Sequence, residues 1–181
     1  MMTDTRQPQH RHQQVGATLI EVLVSILLMA LGILAMAAMQ ANAVQYGKTS
    51  EMRSLATLLA NDLADRMRAN HPEGQAMSAY NITGTYSAPT SMPTDASTSC
   101  EGKTITCTYA QMAAYDLAEW KKQLYRHLPQ GTAYVRAVSN QVDIWIVWTD
   151  PAAAVDLTAD SCPTDYAASG TVRCMYFRVA L

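Results

Sequence analysis

Two sets of residues in this sequence have types and spacings that could do chemistry. The first is a lone carboxylate, Glu21, set inside an apolar run covering residues 17–39. In lipid an ionisable group there costs on the order of 3 kcal/mol, which makes it a functional candidate by default. The plain alternative is a side chain near enough to the interface to snorkel. The second set is Cys100, Cys107, Cys162 and Cys174, all in the second half of the chain. None forms a C-x-x-C pair and no histidine lies at zinc-finger spacing, which argues against a metal centre. An even number of cysteines behind an export segment instead reads as two disulfides in an oxidising compartment. Three connectivities are open. Local pairing, Cys100 with Cys107 and Cys162 with Cys174, is preferred because short loops close most readily.

No enzyme chemistry is visible in the rest of the chain. There is no H-E-x-x-H, G-x-S-x-G, P-loop or G-x-G-x-x-G pattern, and no cofactor is implied. His71 and His127 each lie at an expected helix end, where a dipole or surface role outweighs catalysis. Asp150, Asp156, Asp160 and Asp165 could supply calcium oxygens, but their spacing fits no EF-hand loop. A solvated acidic loop is the better reading. Trp120, Trp145 and Trp148 read as core or interface rather than as a ligand cage. Asn81-Ile82-Thr83 matches a glycosylation sequon, a three-residue pattern that recurs by chance.

Such residues need elements to hold them. The 181-residue chain is 49% hydrophobic and only 15% charged, against about 25% charged in an average soluble domain. That composition excludes a disordered solvating chain, and scarce Glu and Lys exclude a coiled-coil rod. Residues 1–16 are polar, with Arg6, His10, Arg11 and His12. As a helix, residues 17–39 span about 34 Å, enough for a hydrocarbon core of about 30 Å. A cleavable signal peptide competes, with small residues at Ala35 and Ala37 and at Ala41 and Ala43. Its apolar region would be about 7–15 residues, and this run is longer and carries Glu21.

The helix is expected to continue. Residues 40–70 hold no proline, and Met52, Leu55, Leu59, Leu63 and Met67 form an amphipathic stripe. Glu51, Arg53, Asn61, Asp65 and Arg68 fall opposite it, and Pro72 marks the stop. Residues 71–99, rich in Ser, Thr, Pro and Gly, read as a long connecting loop. Thr108 and Gln111 read as a capping box opening a second helix. Its apolar face is Ala113, Leu117, Trp120, Leu124 and Leu128, with Pro129 and Gly131 closing it. Strands are expected at 133–139, 141–149 and 171–181, with Asn140 in a turn and a loop at 150–170. Val142, Ile144, Ile146 and Trp148 alternate along one, and Met175, Phe177 and Val179 along another. The expected fold is α+β: a long N-terminal helix packed on a small antiparallel sheet, an extra helix and two disulfides.

The stretch Gly16-Ala17-Thr18-Leu19-Ile20-Glu21-Val22-Leu23-Val24 resembles the prepilin cleavage motif, although that family usually has Phe where Ala17 stands. The resemblance implies cleavage after Gly16 by a prepilin peptidase, methylation of the new amine at Ala17, and Glu21 as an assembly carboxylate. A buried carboxylate is tolerable beside a buried ammonium, so Glu21 favours a neighbouring subunit's N-terminus. Three further stretches resemble PilV-type minor pilins of type IV pili. They are Leu59-Ala60-Asn61-Asp62-Leu63-Ala64-Asp65-Arg66-Met67-Arg68-Ala69-Asn70, the segment 113–131, and Val142-Asp143-Ile144-Trp145-Ile146-Val147-Trp148.

What the resemblance implies is a leader at 1–16, a transmembrane and filament-core helix at 17–39, its amphipathic continuation at 40–70, and a periplasmic globular domain at 71–181. It implies a minor pilin that helps to initiate or prime pilus assembly as part of a tip complex. The implied partners are the prepilin peptidase, other minor pilins, the major pilin, the inner-membrane assembly machinery and the membrane. The implied location is a single pass of the inner membrane, then the pilus.

The formal charge is −2, and the leader holds Arg6 and Arg11 against Asp4, so the remainder is more acidic still. That suits no basic stripe for phosphate, so nucleic acid is not an expected partner and a DNA-uptake pilin is disfavoured. A minor pseudopilin of type II secretion shares the N-terminal motif and is the nearest alternative. Asp65-Arg66-Met67-Arg68-Ala69-Asn70 and residues 120–131 favour the pilus. A membrane-anchored periplasmic enzyme has no site to point to.

Overall fold

The computed structural model describes residue 16 and residues 18–70, 77–138, 141–150, 162–163, 166 and 171–180. Its elements are α1 (Leu19–Ala69), a 3-10 turn (Met77–Tyr80), α2 (Tyr109–His127), β1 (Thr132–Val138), β2 (Gln141–Thr149) and β3 (Val172–Ala180). The chain divides into two compact units, Met1–Val44 and Gln45–Leu181. The fold is α+β and pilin-like, with a long apolar N-terminal helix, a second helix, an antiparallel sheet and two disulfides.

In the first unit, every described residue is exposed, including Leu23, Ile26, Leu27, Leu31 and Leu34. No proline interrupts the run, and its Leu, Ala and Met residues are good helix formers. A helix this apolar all round has no solvated face, and needs lipid or other helices around it. Among the described residues, α1 is the helix long and apolar enough to cross a membrane.

The second unit holds the cores. Ala56, Leu59, Ala60, Leu63, Ala64 and Met67 are buried along one stripe of α1, at the three- and four-residue spacing of one helix face. Burying a side chain of the size of Leu63 or Met67 stabilises the fold by about 2 kcal/mol. They meet Ala113, Trp120 and Leu124 of α2 and Val142, Ile144, Ile146 and Trp148 of β2. The Trp120 indole Nε1 donates to the Leu59 carbonyl at 2.8 Å, so this buried indole keeps its polar atom bonded.

The sheet has the order β1-β2-β3, antiparallel throughout, with Ile144 opposite both Val135 and Phe177. Residues Val142 to Trp148 are buried on both faces, which identifies β2 as the central strand. On the face away from the helices, Tyr134, Trp145, Val147, Val172, Cys174 and Tyr166 form a second, smaller core.

Helix α2 opens on the expected capping box: the Gln111 amide donates to Thr108 Oγ1, and the Thr108 amide to Gln111 Oε1. Its other end closes ahead of Pro129 and Gly131, as expected. The left-handed residue is Gln130, at φ 51°, and not Gly131. Gly131 is needed for close approach instead, because a Cβ there would stand 2.2 Å from the Leu124 carbonyl oxygen. The expected loop at 71–99 also contains structure. Met77 and Tyr80 of the 3-10 turn are buried, and Ile82 exchanges both backbone hydrogen bonds with Val135 at 2.9 Å. That single antiparallel bridge covers part of the β1 edge, a position that would otherwise invite pairing with another chain. Asn140 and most of 150–170 lie outside the described residues.

Candidate functional site

Glu21 lies in the first turn of α1, where a carboxylate is favoured by the helix dipole, and its side chain is exposed. Ser25 Oγ donates to the Glu21 carbonyl at 2.7 Å, so the hydroxyl one turn on is taken by backbone. Val22, Ile26 and Met29 complete an apolar groove beside the carboxylate. Gly16 is exposed, and Ala17 lies outside the described residues.

The four cysteines are joined as Cys100 with Cys107 and Cys162 with Cys174. The first closes a small ring ahead of α2. The second ties the segment before β3 to that strand, inside the smaller core. Among the described residues no cluster of three or more His, Cys, Asp or Glu side chains could hold a metal ion. Of the four aspartates considered for calcium, Asp150 is buried and accepts from Thr49 Oγ1 at 3.3 Å, while Asp156, Asp160 and Asp165 lie outside the described residues. Trp120 and Trp148 belong to the main core and Trp145 to the smaller one. His71 lies outside the described residues, and His127 is exposed at the end of α2. In the sequon, Asn81 Oδ1 accepts from the Ala137 amide at 2.8 Å, so its amide group fastens the β1 edge.

Two polar clusters were not anticipated from the sequence. One joins α1 to α2. The Tyr80 hydroxyl donates to Asp116 Oδ2 at 2.7 Å, and Asn70 Nδ2 donates to the Tyr80 oxygen at 2.9 Å. Arg66 bridges Asp62 at 3.0 Å and Asp116 at 3.4 Å. Burial, reinforced by Asp116, pushes the Tyr80 hydroxyl well above its ordinary pKa, so it stays a donor. The other cluster lies on the smaller-core face of the sheet. Arg136, Asp143 and Arg178 stand side by side across three strands. The Asp143 carboxylate accepts from the Arg178 guanidinium at 2.7 and 3.1 Å, from the Tyr176 hydroxyl at 2.8 Å and from Arg136 at 3.5 Å. Each cluster joins residues from separate elements. The only local hint was a charged residue, Asp143 or Asp116, set among apolar neighbours.

Two surface features stand at opposite ends of α2. A groove of about 340 Å³ lies among Lys48, Glu51, Met52 and Leu55 of α1, His127 and Pro129 beyond α2, and Asp150 after β2. The Thr149 amide donates to the Pro129 carbonyl at 2.9 Å, which sets that rim. At the other end, residues 101–106 inside the Cys100–Cys107 ring are all exposed. Gly102, at φ 115°, allows the tight turn, and a Cβ added there would meet the Ile105 side chain at 3.6 Å. The Tyr115 hydroxyl donates to the Glu101 carboxylate and anchors the ring to α2.

Comparison with known proteins bears on one part of this framework. No curated protein and no solved structure matches the chain. Residues 38–118 match the family model described as Tt1218-like, type IV pilin Tt1218. The matched segment contains every member of the Asp62, Arg66, Asn70, Tyr80 and Asp116 cluster. What this chain is similar to is therefore a type IV pilin, over the stretch that locks the first helix to the second.

Proposed function

We propose that the protein is a minor pilin of a type IV pilus, anchored in the inner membrane by residues 17–39 after removal of a leader at 1–16. In this reading a prepilin peptidase cuts between Gly16 and Ala17 and methylates the Ala17 amine. The domain then stands in the periplasm and joins other minor pilins in a complex that primes assembly at the tip. The observation that carries the reading is α1 itself. Its first part is apolar and exposed, its second part carries a buried stripe, and the match to a pilin family begins at residue 38. A structural subunit that stores its helix in lipid and later packs it among other helices needs that division.

Glu21 has a defined task in this reading. It offers a carboxylate to the Ala17 ammonium of a neighbour, so that two groups costly to bury neutralise one another. N-terminal sequencing of membrane-extracted protein is expected to start at Ala17. A start near Ala38 or Val44 would mean signal-peptidase cleavage and would sink the proposal. Glu21→Ala should leave insertion intact but abolish incorporation with other minor pilins, since breaking such a pair costs about 3–5 kcal/mol. Equal pilus counts and equal co-purification at matched membrane levels would show that Glu21 has no such role.

A further inference from the structure

The sheet face away from the helices is covered at one end only. Tyr86 and Cys162 pack against the smaller core, which reaches Tyr134 and Trp145 and extends no further along the strands among the described residues. The next two cross-strand rows on that face are Arg136, Asp143 and Arg178, then Val138, Gln141 and Ala180. Asp143 is buried, while both arginines, Val138, Gln141 and Ala180 are exposed.

Asp143 does not need both arginines. Its Oδ1 accepts from the Tyr176 hydroxyl and from Arg178 Nε, and its Oδ2 accepts from Arg178 Nη2 at 3.1 Å. One arginine therefore neutralises the carboxylate and, with the tyrosine, satisfies it. Arg136 reaches Oδ2 through Nη2 alone at 3.5 Å, the limit of a hydrogen bond. Its Nε and Nη1 have no hydrogen-bond partner among the described residues. The guanidinium is still held in place, 5.8 Å from the centre of the Trp145 ring. Two cations against one anion leave a positive charge at this end of the face, on a chain of net charge −2.

A pre-oriented guanidinium with free donors receives a planar oxyanion, and a carboxylate fits it bidentately. Val138 follows two residues on, about 7 Å away, and is 46% exposed. One surplus charge is too little to hold a polyanion, which needs a row of cations. An arginine backed by Trp145 and Tyr176, beside an apolar side chain, has instead the composition of a protein contact. Two copies of the chain meeting face to face would set like charges against one another.

We propose that Arg136 and Val138 dock an acidic segment of a different pilin subunit. Its Asp or Glu carboxylate sits on the Arg136 guanidinium, and an apolar side chain two residues away rests on Val138. The inference deepens the pilin reading, on which the identity of the partner rests.

The test has two arms, both on the full-length chain. In detergent micelles, the Arg136 Nε–H and Val138 amide signals are followed by NMR as a capped Ser-Glu-Ser-Val-Ser peptide is added. Both are expected to shift and saturate. The same peptide with Gln in place of Glu should bind the parent about tenfold more weakly, and Arg136→Gln should weaken the Glu peptide as much. Arg136→Lys, which keeps the charge but not the fork, should fall between. Both variants should melt with the parent, because Arg178 and Tyr176 keep Asp143 satisfied. No shift, equal binding of the two peptides, binding unmoved by Arg136→Gln, or tighter binding of inorganic polyphosphate would overturn the proposal. In cells of the native strain, a photo-reactive phenylalanine analogue at position 138 is expected to join a different pilin, at a peptide containing Asp or Glu. Changing that carboxylate to its amide should cut the yield about tenfold. Adducts with a second copy, with lipid or with nothing would overturn the choice of partner. The N-terminus of the same sample is read separately. If it is not Ala17, the pilin reading fails, while the peptide titration still decides the carboxylate site.

Discussion

Asp143 shows how one side chain can organise a sheet face. It lies on the central strand, 1% exposed, with an arginine directly opposite on each neighbouring strand. The Arg178 guanidinium holds its carboxyl below the usual carboxylate range, against the opposing pull of burial. A folded-state pKa below the unfolded value of about 3.9 means that the interaction stabilises the fold above that pH. The contribution is lost as pH falls through the lower, folded value. Asp143→Asn should therefore flatten the acid limb of stability below about pH 4. At neutral pH the loss should be nearer about 1 kcal/mol than the 3–5 of a fully buried pair, because both arginines are half exposed. Urea unfolding of the parent and variant between pH 3 and pH 7 measures both effects. A parallel pair of curves would mean that the carboxylate titrates as it does in the unfolded chain.

At the scale of elements, what was legible in the sequence was what has a local signature. The α1 stripe from Leu55 to Met67 repeats at helix spacing, and the Thr108 capping box occupies four consecutive residues. Val142 to Trp148 and Met175 to Val179 alternate, and both are strands. The 3-10 turn Met77–Tyr80 has no period, because a single turn buries only Met77 and Tyr80 and borrows its stability from Asp116 and Asn70. The α2 terminus shows the limit more sharply. Gly131 was legible as closing the helix, but the reason a side chain is excluded there, the approach of the chain to the Leu124 carbonyl, was not. Gly131→Ala should accordingly destabilise by about 1–3 kcal/mol through overpacking. Gln130→Gly should be neutral or slightly stabilising, since glycine takes a positive φ without strain. A thermal melt that ranks the two variants in the opposite order would refute this division of labour.

For the molecule as a whole, both hydrophobic cores use residues from Met52 onward. A chain that begins at Gln45 should therefore fold without the apolar segment and remain in solution without detergent. Its thermal midpoint should lie within a few degrees of that of the full chain in micelles. A molten domain, with helical circular dichroism but no cooperative transition, would show that the first unit contributes stability. The same partition explains what was legible of the candidate site. Gly16, Ala17 and Glu21 fall within six consecutive positions, so the sequence displays them together. The groove at Glu51 and Pro129 and the clamp at Arg66 and Asp116 join residues some 50 to 80 positions apart, and only the folded chain brings them together.

The two disulfides also decide how the domain responds to pulling. Each closes a short stretch, with sequence separations of 7 and 12, and neither ties a helix to the sheet. A load applied between the N-terminal helix and the C-terminus can therefore peel β3 away and unravel nearly the whole of Gln45–Leu181. At about 3.4 Å per residue this would release about 400 Å of contour length, and reducing both rings would add only about 60 Å more. Such a subunit is an extensible link rather than a rigid block. Under tension it would yield by lengthening.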